Sequence, residues 1–446
     1  MSDRGPEIYD VAGIGFGPAN LSLAIAIEEY GASRPGKGIS SLFFERQASF
    51  GWHRNMLLPS ATMQISFLKD LVTIRNPTSS FSFVAYLHAS GRLPQFVNKQ
   101  DFFPTRREFH SYLEWAQARV SDRIAYGSEV TSIRLPAGEA AEAPDHLLLE
   151  IADDTGRRVI KARNVVISTG LVPSLPEGTE RDERVWHSCD FLEQYRRMDP
   201  RTLRRVAVAG AGQSAAEITR FLYDELPHAQ VYAVTPSYGY SVADDTPFAN
   251  QVFDQPAVDD YYFGTEQTRE AFWRYHRNTN YSVVDDEVIR ELYRRSYDDD
   301  VLGVRRLRFL NLTRVTGAKR AGEETRISLQ VGEDGEVREL DVDALVCATG
   351  YRAMEPAGLL GDLDRHCLRD EADRYQVDRD YRLVTVPEVR CGIYLQGGTE
   401  HTHGLTSSLL STIALRSGEI VESIVSRQAG DNVDSAVPVK VGSDLR

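Results

Sequence analysis

The chain has 446 residues, so length alone suggests about three domain-sized units with room for large cores. A formal net charge of −14 argues against nucleic acid or an anionic membrane as the main partner, because both need clustered basic surface; a cationic small molecule fits better. Four dispersed cysteines with no Cys-x-x-Cys indicate neither a disulfide framework nor a dithiol centre. No apolar run approaches the roughly 18 residues of a membrane span and the opening residues are no signal peptide, so a soluble cytoplasmic protein is expected.

In chain order, the first element is an apolar run from Ile8 ending in Gly13-x-Gly15-x-Gly17-Pro18 and continuing as an apolar segment of helical length. That reads strand, tight turn, helix, which is how a dinucleotide pyrophosphate is held: Gly13 makes the turn, Gly15 has no Cβ to block the phosphates, and the helix points free N–H groups at them. Pro18 replaces the usual third glycine and is compatible with a first helical turn. A second strand, 39–45, ends in Glu45, a carboxylate placed for a ribose hydroxyl, with the insertion 31–38 lengthening the spacing. Segments 50–71 and 75–87 interleave aromatic and polar residues without clean period, as an irregular cofactor-covering stretch does. A helix follows from Arg106, then a β-meander from Ile124 to Ile160 closing on Asn164-Val-Val-Ile-Ser-Thr-Gly170, and the prolines of Leu171-Val-Pro-Ser-Leu-Pro176 mark a crossover between domains.

A second fingerprint stands at Arg205-Val-Ala-Val-Ala-Gly210-Ala-Gly212-Gln213-Ser214-Ala215-Ala-Glu217. Two such units, each opening a helix, are what a protein holding two dinucleotides needs. The next strand, 230–235, ends without Asp or Glu, which leans towards NADP over NAD, although no arginine sits there. Residues 236–300 form a helical and loop-rich insertion, Asp341 to Tyr351 repeats the apolar-run-then-Thr-Gly form of 164–170, and 392–410 reads strand, loop, helix, the helix starting with the hydroxyls of Thr406, Ser407 and Ser408. The fold class is therefore α/β, with two dinucleotide-binding Rossmann-like domains and a small, mostly helical substrate-binding region. The expected boundaries are 1–175 and 336–427 for a first dinucleotide-binding domain in two parts, 176–335 for a second carrying the insertion at about 240–300, and a polar tail at 428–446.

Several motifs resemble those of the N-hydroxylating flavin monooxygenases, most closely the L-ornithine N-monooxygenases of siderophore and nonribosomal-peptide pathways, over nearly the whole chain. Gly13-x-Gly15-x-x-Pro18 is similar to that family's FAD fingerprint, and Phe50-Gly-Trp52-His53, Met63-Gln64 and Phe67-Leu-Lys69-Asp-Leu71 match its flavin-proximal segment. Asp343-x-x-x-Cys347-Ala-Thr-Gly-Tyr351-x-x-x-x-Pro356 resembles its signature, departing only at Cys347, where an apolar residue suffices; Thr246-Pro-Phe-Ala-Asn250 and Asn278-Thr-Asn280-Tyr-Ser-Val-Val284 look like its amino-acid-binding segments. Relatives tend to carry an arginine near 234–238 for the NADP phosphate, and this chain has Val-Thr-Pro-Ser-Tyr238.

The resemblance implies that FAD, reduced by NADPH in preference to NADH, forms a hydroperoxide with dioxygen whose distal oxygen is attacked by the neutral side-chain amine of ornithine. It implies that the two-part domain 1–175 and 336–427 is FAD-binding and 176–335 NADPH-binding, with Lys69, Asn280 and Gln64 as catalytic residues. The FAD and NADPH contacts it implies are Gly13, Gly15, Gly17, Pro18, Glu45, Trp52, His53, Gln64 and Val130; Gly212, Gln213, Ser214, Ala215 and Glu217; Asn280, Tyr281 and Ser282; and Thr406, Ser407 and Ser408. Lys69, Asn250, Gln251, Val252, Phe253, Asn280 and Leu409 would bind substrate, Lys69 through its carboxylate. Relatives are often tetramers or dimers, so a homo-oligomer is expected. Against this stand plainer readings: Lys69 as a snorkelling lysine, Asn250 and Asn280 as turn or cap residues, Gln64 and His53 as structural hydrogen-bonders, and His401-x-His403 as a loop turning at Gly404 rather than a metal site. A lysine or diamine N-hydroxylase is the nearest alternative. A flavin monooxygenase of ketones or sulfides is a further one, because Trp186-His-Ser-Cys-Asp-Phe191 is faintly similar to the linker of those enzymes but lacks its Phe-x-Gly lead-in.

Overall fold

The computed structural model describes residues 8–137, 144–333 and 335–429; the opening residues and nearly all of the expected tail lie outside them. The first unit begins with β1 (Tyr9–Ile14), α1 (Pro18–Ser33) and β2 (Ser41–Glu45), with β1 and β2 parallel and Val11 opposite Ser41. α1 is apolar on most faces because it is covered on both sides: residues 20–27 are all buried, between the sheet and the last of the described helices, Ile413–Ala429.

Helices α2 (Phe83–Ala89), α3 (Leu93–Lys99) and α4 (Arg106–Ala118) follow. α2 and α4 start at hydroxyl caps, Ser82 accepting from the Ala85 N–H and Thr105 from the Glu108 N–H. β3 (Ile124–Tyr126) joins β2 in parallel rather than opening the meander, which is made by β4 (Glu129–Arg134), β5 (Leu147–Asp153) and β6 (Gly156–Ile167). The expected pair of segments ending at 160 and starting at 164 is one 12-residue strand. No glycine or proline interrupts 157–167, so the first half of β6 pairs antiparallel with β5 and the second half parallel with β1.

β7 (Leu171–Pro173) leads to the second unit: β8 (Val185–His187), α5 (Phe191–Arg197), β9 (Arg205–Ala209), α6 (Gln213–Glu225) and β10 (Gln230–Val234). The helical insertion then appears as α7 (Pro247–Asn250), α8 (Gln255–Tyr262), α9 (Glu266–His276) and α10 (Asp286–Leu302), before the chain re-enters the sheet as β11 (Leu307–Leu310). β12 (Thr313–Ala321), β13 (Glu324–Val331) and β14 (Val337–Val342) form an antiparallel sheet of their own.

β15 (Ala344–Cys347) corrects the expected return to the first domain at 336. It lies between β9 and β8, parallel to both, so the second sheet reads β11-β10-β9-β15-β8 and this unit extends to about residue 350. A fully buried parallel strand needs the continuous apolar run that Ala344–Cys347 supplies. β16 (Tyr351–Ala353) pairs antiparallel with β7, so the outgoing and returning connections are hydrogen-bonded to each other. After α11 (Ala357–Leu360), β17 (Gly392–Leu395) completes the first sheet beside β6, and α12 (Glu400–His403) and α13 (Ile413–Ala429) end the described chain.

Candidate functional site

Both fingerprints close in the same way. Gly15 has φ +78° and an ideal Cβ there would lie 2.4 Å from the Ser168 carbonyl oxygen; Gly210 has φ +147° and its Cβ would lie 2.3 Å from the Ala348 carbonyl oxygen. Each glycine therefore makes the turn and lets it abut the end of the neighbouring strand, the two Thr-Gly repeats read in the sequence. This reassigns the first fingerprint. Gly13 lies within β1, where a Cβ would lie 2.1 Å from Cδ1 of the Phe43 ring, and Gly17 is the residue whose missing Cβ meets no atom within 4 Å. α1 and α6 both start at a glycine cap, with no side-chain cap and no acidic residue in the first turn. The positive helix end and its first N–H groups thus meet open space at Gly17 and lie beneath Ser282 at Gly212, and each glycine-capped start fits a pyrophosphate.

Glu45 ends β2 as expected, but both its oxygens accept backbone N–H groups, Oε2 from Phe16 at 2.7 Å and Oε1 from Gln47 at 2.9 Å. It holds the glycine turn. Trp52 packs edge-on against His53, their ring centroids 4.6 Å apart, and His53 has φ +49° at the start of a short turn. His53 is exposed at this turn. The Val130 side chain belongs to the core of the first sheet and Ala215 is wholly buried, so only their backbones could meet a cofactor.

The cleft between the units is closed by a polar chain. Gln64 Nε2 donates to Asp285 Oδ1 at 3.1 Å, and Gln213 Nε2 donates to Asp285 Oδ2 at 2.8 Å and to Glu217 Oε1 at 3.1 Å. The Asp285 N–H in turn donates to Gln213 Oε1 at 2.9 Å. Glu217, 1% exposed, forms a two-point ion pair with Arg106 of α4, at 2.8 and 2.9 Å. Burial raises the Asp285 pKa, with the Glu217 charge adding to it and the bonds from Gln64 and Gln213 opposing it. Glu217 thus ties the two units together, both its oxygens accepting hydrogen bonds within the protein. Ser282, in the left-handed region at φ +58°, puts its Cα 3.8 Å from an ideal Cβ on Gly212, so residues 280–282 lie over the second fingerprint. Asn280 is exposed, as is Ser282, and Ser214 is half-buried.

Lys69 precedes Asp70, a 1% exposed carboxylate that accepts from the N–H groups of Val72, Thr73 and Phe83 and so fixes the loop. Its ammonium lies 5.8 Å from the Phe253 ring centroid, and no carboxylate among the described residues pairs with it. Val252 is buried beside an exposed Gln251. Asn250 follows the plainer reading at its amide nitrogen, which donates to the Asp245 carbonyl at 2.6 Å. Leu409 is half-buried, in a turn whose carbonyls at Ser407 and Leu409 accept from the buried Arg416 guanidinium.

The expected helix start at 406–408 is corrected. Gly404, at φ +65°, opens a 3₁₀ turn over Gly404–Ser408, a second turn follows at Leu410–Thr412, and α13 starts only at Ile413. Thr406 Oγ1 donates to the His403 carbonyl, and Ser407 Oγ accepts from the Thr399 N–H at 2.8 Å, so both hydroxyls are turned into the protein. Ser408 remains half-buried and bonds Tyr281. His401 and His403 make backbone hydrogen bonds through Nε2, to the Tyr375 and Arg379 carbonyls, and His403 stacks on Tyr381.

Arg106, Asp285 and Arg416 hold these elements together and were not singled out from the sequence; for Arg106 and Asp285 the reason is that their partners lie far along the chain.

A family model described as L-lysine 6-monooxygenase/L-ornithine 5-monooxygenase matches residues 7–353. Among solved structures, the chain is similar to the ornithine N-hydroxylase KtzI of Kutzneria sp. 744, solved with reduced FAD, NADP+ and L-ornithine: 60% identity and a TM-score of 0.91, covering 94% of this chain and 100% of that one. It is 35% identical to the L-ornithine N(5)-monooxygenase of Pseudomonas aeruginosa over 94% of each protein. The L-lysine 6-monooxygenase of Pseudomonas syringae is more distant, at 29% identity and a TM-score of 0.81, covering 94% of this chain and 99% of that one. The motifs quoted from the sequence and these likenesses agree: the chain belongs to the L-lysine 6-monooxygenase/L-ornithine 5-monooxygenase family.

Proposed function

We propose that this protein is a FAD- and NADPH-dependent monooxygenase that hydroxylates the side-chain amine of L-ornithine. The observation that carries the reading is the meeting of Lys69, which has no carboxylate partner among the described residues, with Phe253 of the insertion, in a chain with two glycine-turn cradles joined by the Gln64–Asp285–Gln213 bridge. Bound FAD, reduced by NADPH, supplies the activation of dioxygen that no side chain can. The protein's part is to position the amine, keep water out and hold the amine neutral. A free alkyl ammonium has a pKa of about 10, so a desolvated pocket must lower it.

Lys69 binds the substrate carboxylate, Asn250 uses its remaining amide oxygen on the substrate's backbone amine, Asn280 spans substrate and nicotinamide, and Gln64 lines the flavin edge. The 60% likeness to an ornithine N-hydroxylase favours ornithine over lysine, one methylene longer, a difference worth only about 1–3 kcal/mol in binding. Siderophore or nonribosomal-peptide assembly is the pathway class in which such a product is used. A homo-oligomer is part of the reading, supported by Tyr293, Tyr297 and Val301, exposed at four-residue intervals along α10. A cytoplasmic location accords with the finding that no helix among the described residues is long and apolar enough to cross a membrane.

The test is a hydroxylamine product assay with ornithine, lysine and putrescine, run with NADPH and NADH side by side. Hydroxylated ornithine with NADPH is expected. Nicotinamide oxidation that yields only hydrogen peroxide with every amine rejects the reading.

A further inference from the structure

Beneath the first glycine turn lies a buried amide pair whose hydrogen bonding is left one partner short. Asn20 is wholly buried in the first turn of α1, and its Nδ2 donates to the Gly15 carbonyl at 2.7 Å and the Ile14 carbonyl at 3.3 Å. Two acceptors fix that atom as the nitrogen, so the other end of the Asn20 amide is its oxygen. Gln396, at the end of β17 and 7% exposed, donates from Nε2 to this Asn20 oxygen at 3.0 Å. The remaining Gln396 atom is therefore an acceptor by necessity, and this Oε1 is buried without a hydrogen-bond partner.

A buried acceptor without a donor is costly and rare, so its place in the fold is informative. Gln396 stands at the carboxyl edge of the first sheet, where its N–H continues the ladder to the Ile167 carbonyl at 2.9 Å, and two glycines of positive φ, Gly397 and Gly398, follow it. Ligands of open parallel sheets bind at that edge. The strand order is β2-β1-β6 with β17 beyond β6, so the glycine turn after β1 separates Glu45 on one side from Gln396 on the other. A dinucleotide whose adenosine lies on the β2 side and whose pyrophosphate lies on the turn carries its other half over β6 and β17. That half of FAD has a ribityl chain, rich in hydroxyl donors, whereas the pyrophosphate has none.

We propose that Gln396 is a FAD-binding residue, its Oε1 accepting a hydrogen bond from a ribityl hydroxyl while Asn20 locks the amide orientation from below. The inference rests on the FAD reading above. It assigns Asn20 as a positioning residue, coupling the glycine turn to the ribityl chain through one amide–amide contact.

The test is Gln396→Met, which keeps length and shape and removes both polar ends. FAD affinity of the apoprotein is measured by flavin fluorescence quenching, ADP affinity by competition, and thermal unfolding with no ligand. The expected result is FAD binding weakened about tenfold, the worth of one such bond. ADP, which lacks the ribityl chain, binds as to the wild type, and the apoprotein melts close to the wild type, because the orphaned Gln396 acceptor is exchanged for an Asn20 oxygen that loses its donor. Unchanged FAD affinity, equal loss for FAD and ADP, or a lower apoprotein melting point with no FAD-specific loss would each overturn it. Asn20→Leu, which frees the Gln396 amide to turn, should also weaken FAD more than ADP. Wild-type protein that binds no FAD would instead remove the underlying reading.

Discussion

Replacing Glu217 by Gln tests whether one ion pair holds the nicotinamide unit against the flavin unit. The Glu217 side chain is 1% exposed and its partner Arg106 12%, so both charges are largely out of water. Without the carboxylate, the guanidinium keeps only the Met56 carbonyl at 2.9 Å and the Thr62 carbonyl at 3.5 Å. Breaking a buried pair by removing one partner costs about 3–5 kcal/mol, and the amide oxygen of the new Gln still accepts one bond, so the lower end applies. At about 2–4 °C per kcal/mol for a domain of this size, ~3 kcal/mol lowers Tm by roughly 6–12 °C. The assay is thermal and urea unfolding of wild type, Glu217→Gln, Arg106→Met and the double variant. Because the same atoms make the loss in each single variant, the double should cost clearly less than the sum. Stopped-flow flavin reduction by NADPH should slow in the singles, since the pair sits between the two cradles. Single effects that add within about 0.5 kcal/mol, or a Tm that does not move, would refute the clasp.

Lys69→Ala should raise the KM for ornithine about 10–100-fold, the worth of one charge-assisted bond, while NADPH still reduces the flavin; loss of flavin reduction would give Lys69 another role. Gly17→Ala should leave the apoprotein melting point unchanged and weaken FAD binding, because its Cβ meets no protein atom. Gly15→Ala should instead impair folding itself, since its φ is +78° and its Cβ collides with the Ser168 carbonyl; equal behaviour of the two variants in apoprotein melting would contradict the cradle geometry. His403, 1% exposed, has its pKa pushed from 6.5 down to about 3, mainly by burial. The folded imidazole stays neutral while the unfolded one takes a proton below 6.5, so stability is full above that pH and declines towards about 3. Between pH 6.5 and 5 the loss is about 2 kcal/mol, and urea midpoints across that range should flatten in His403→Gln; an unaltered slope would exclude His403 as the cause.

The parts legible from sequence were those with a short-range signature. Each glycine turn joins a strand to a helix within a dozen residues, and both stand where they were read. Contacts between distant segments were not legible. Nothing local distinguishes Arg106 from other helical arginines, and its partner lies 111 positions away. Asp285 meets Gln64 across 221 positions and Gln396 meets Asn20 across 376. The boundary error at 336 has the same origin. A buried parallel strand such as Ala344–Cys347 fits either sheet by composition, and only its neighbours β8 and β9 decide. At 404–412 the hydroxyl-rich run looked like a helix cap because Ser and Thr favour caps, but the same hydroxyls can satisfy neighbouring backbone instead, which is what Thr406 and Ser407 do.

The ribbon of β7 and β16 brings the two ends of the second unit to adjoining positions, the Ser174 N–H donating to the Gly350 carbonyl at 3.0 Å. Residues 174–350 consequently form a cassette set into one loop of the flavin unit, and excising it would leave a gap that a tight turn could span. Nature could have acquired or exchanged the electron-donor half without rethreading the other, and an engineer could graft a cassette of different nicotinamide preference through the same two splice points.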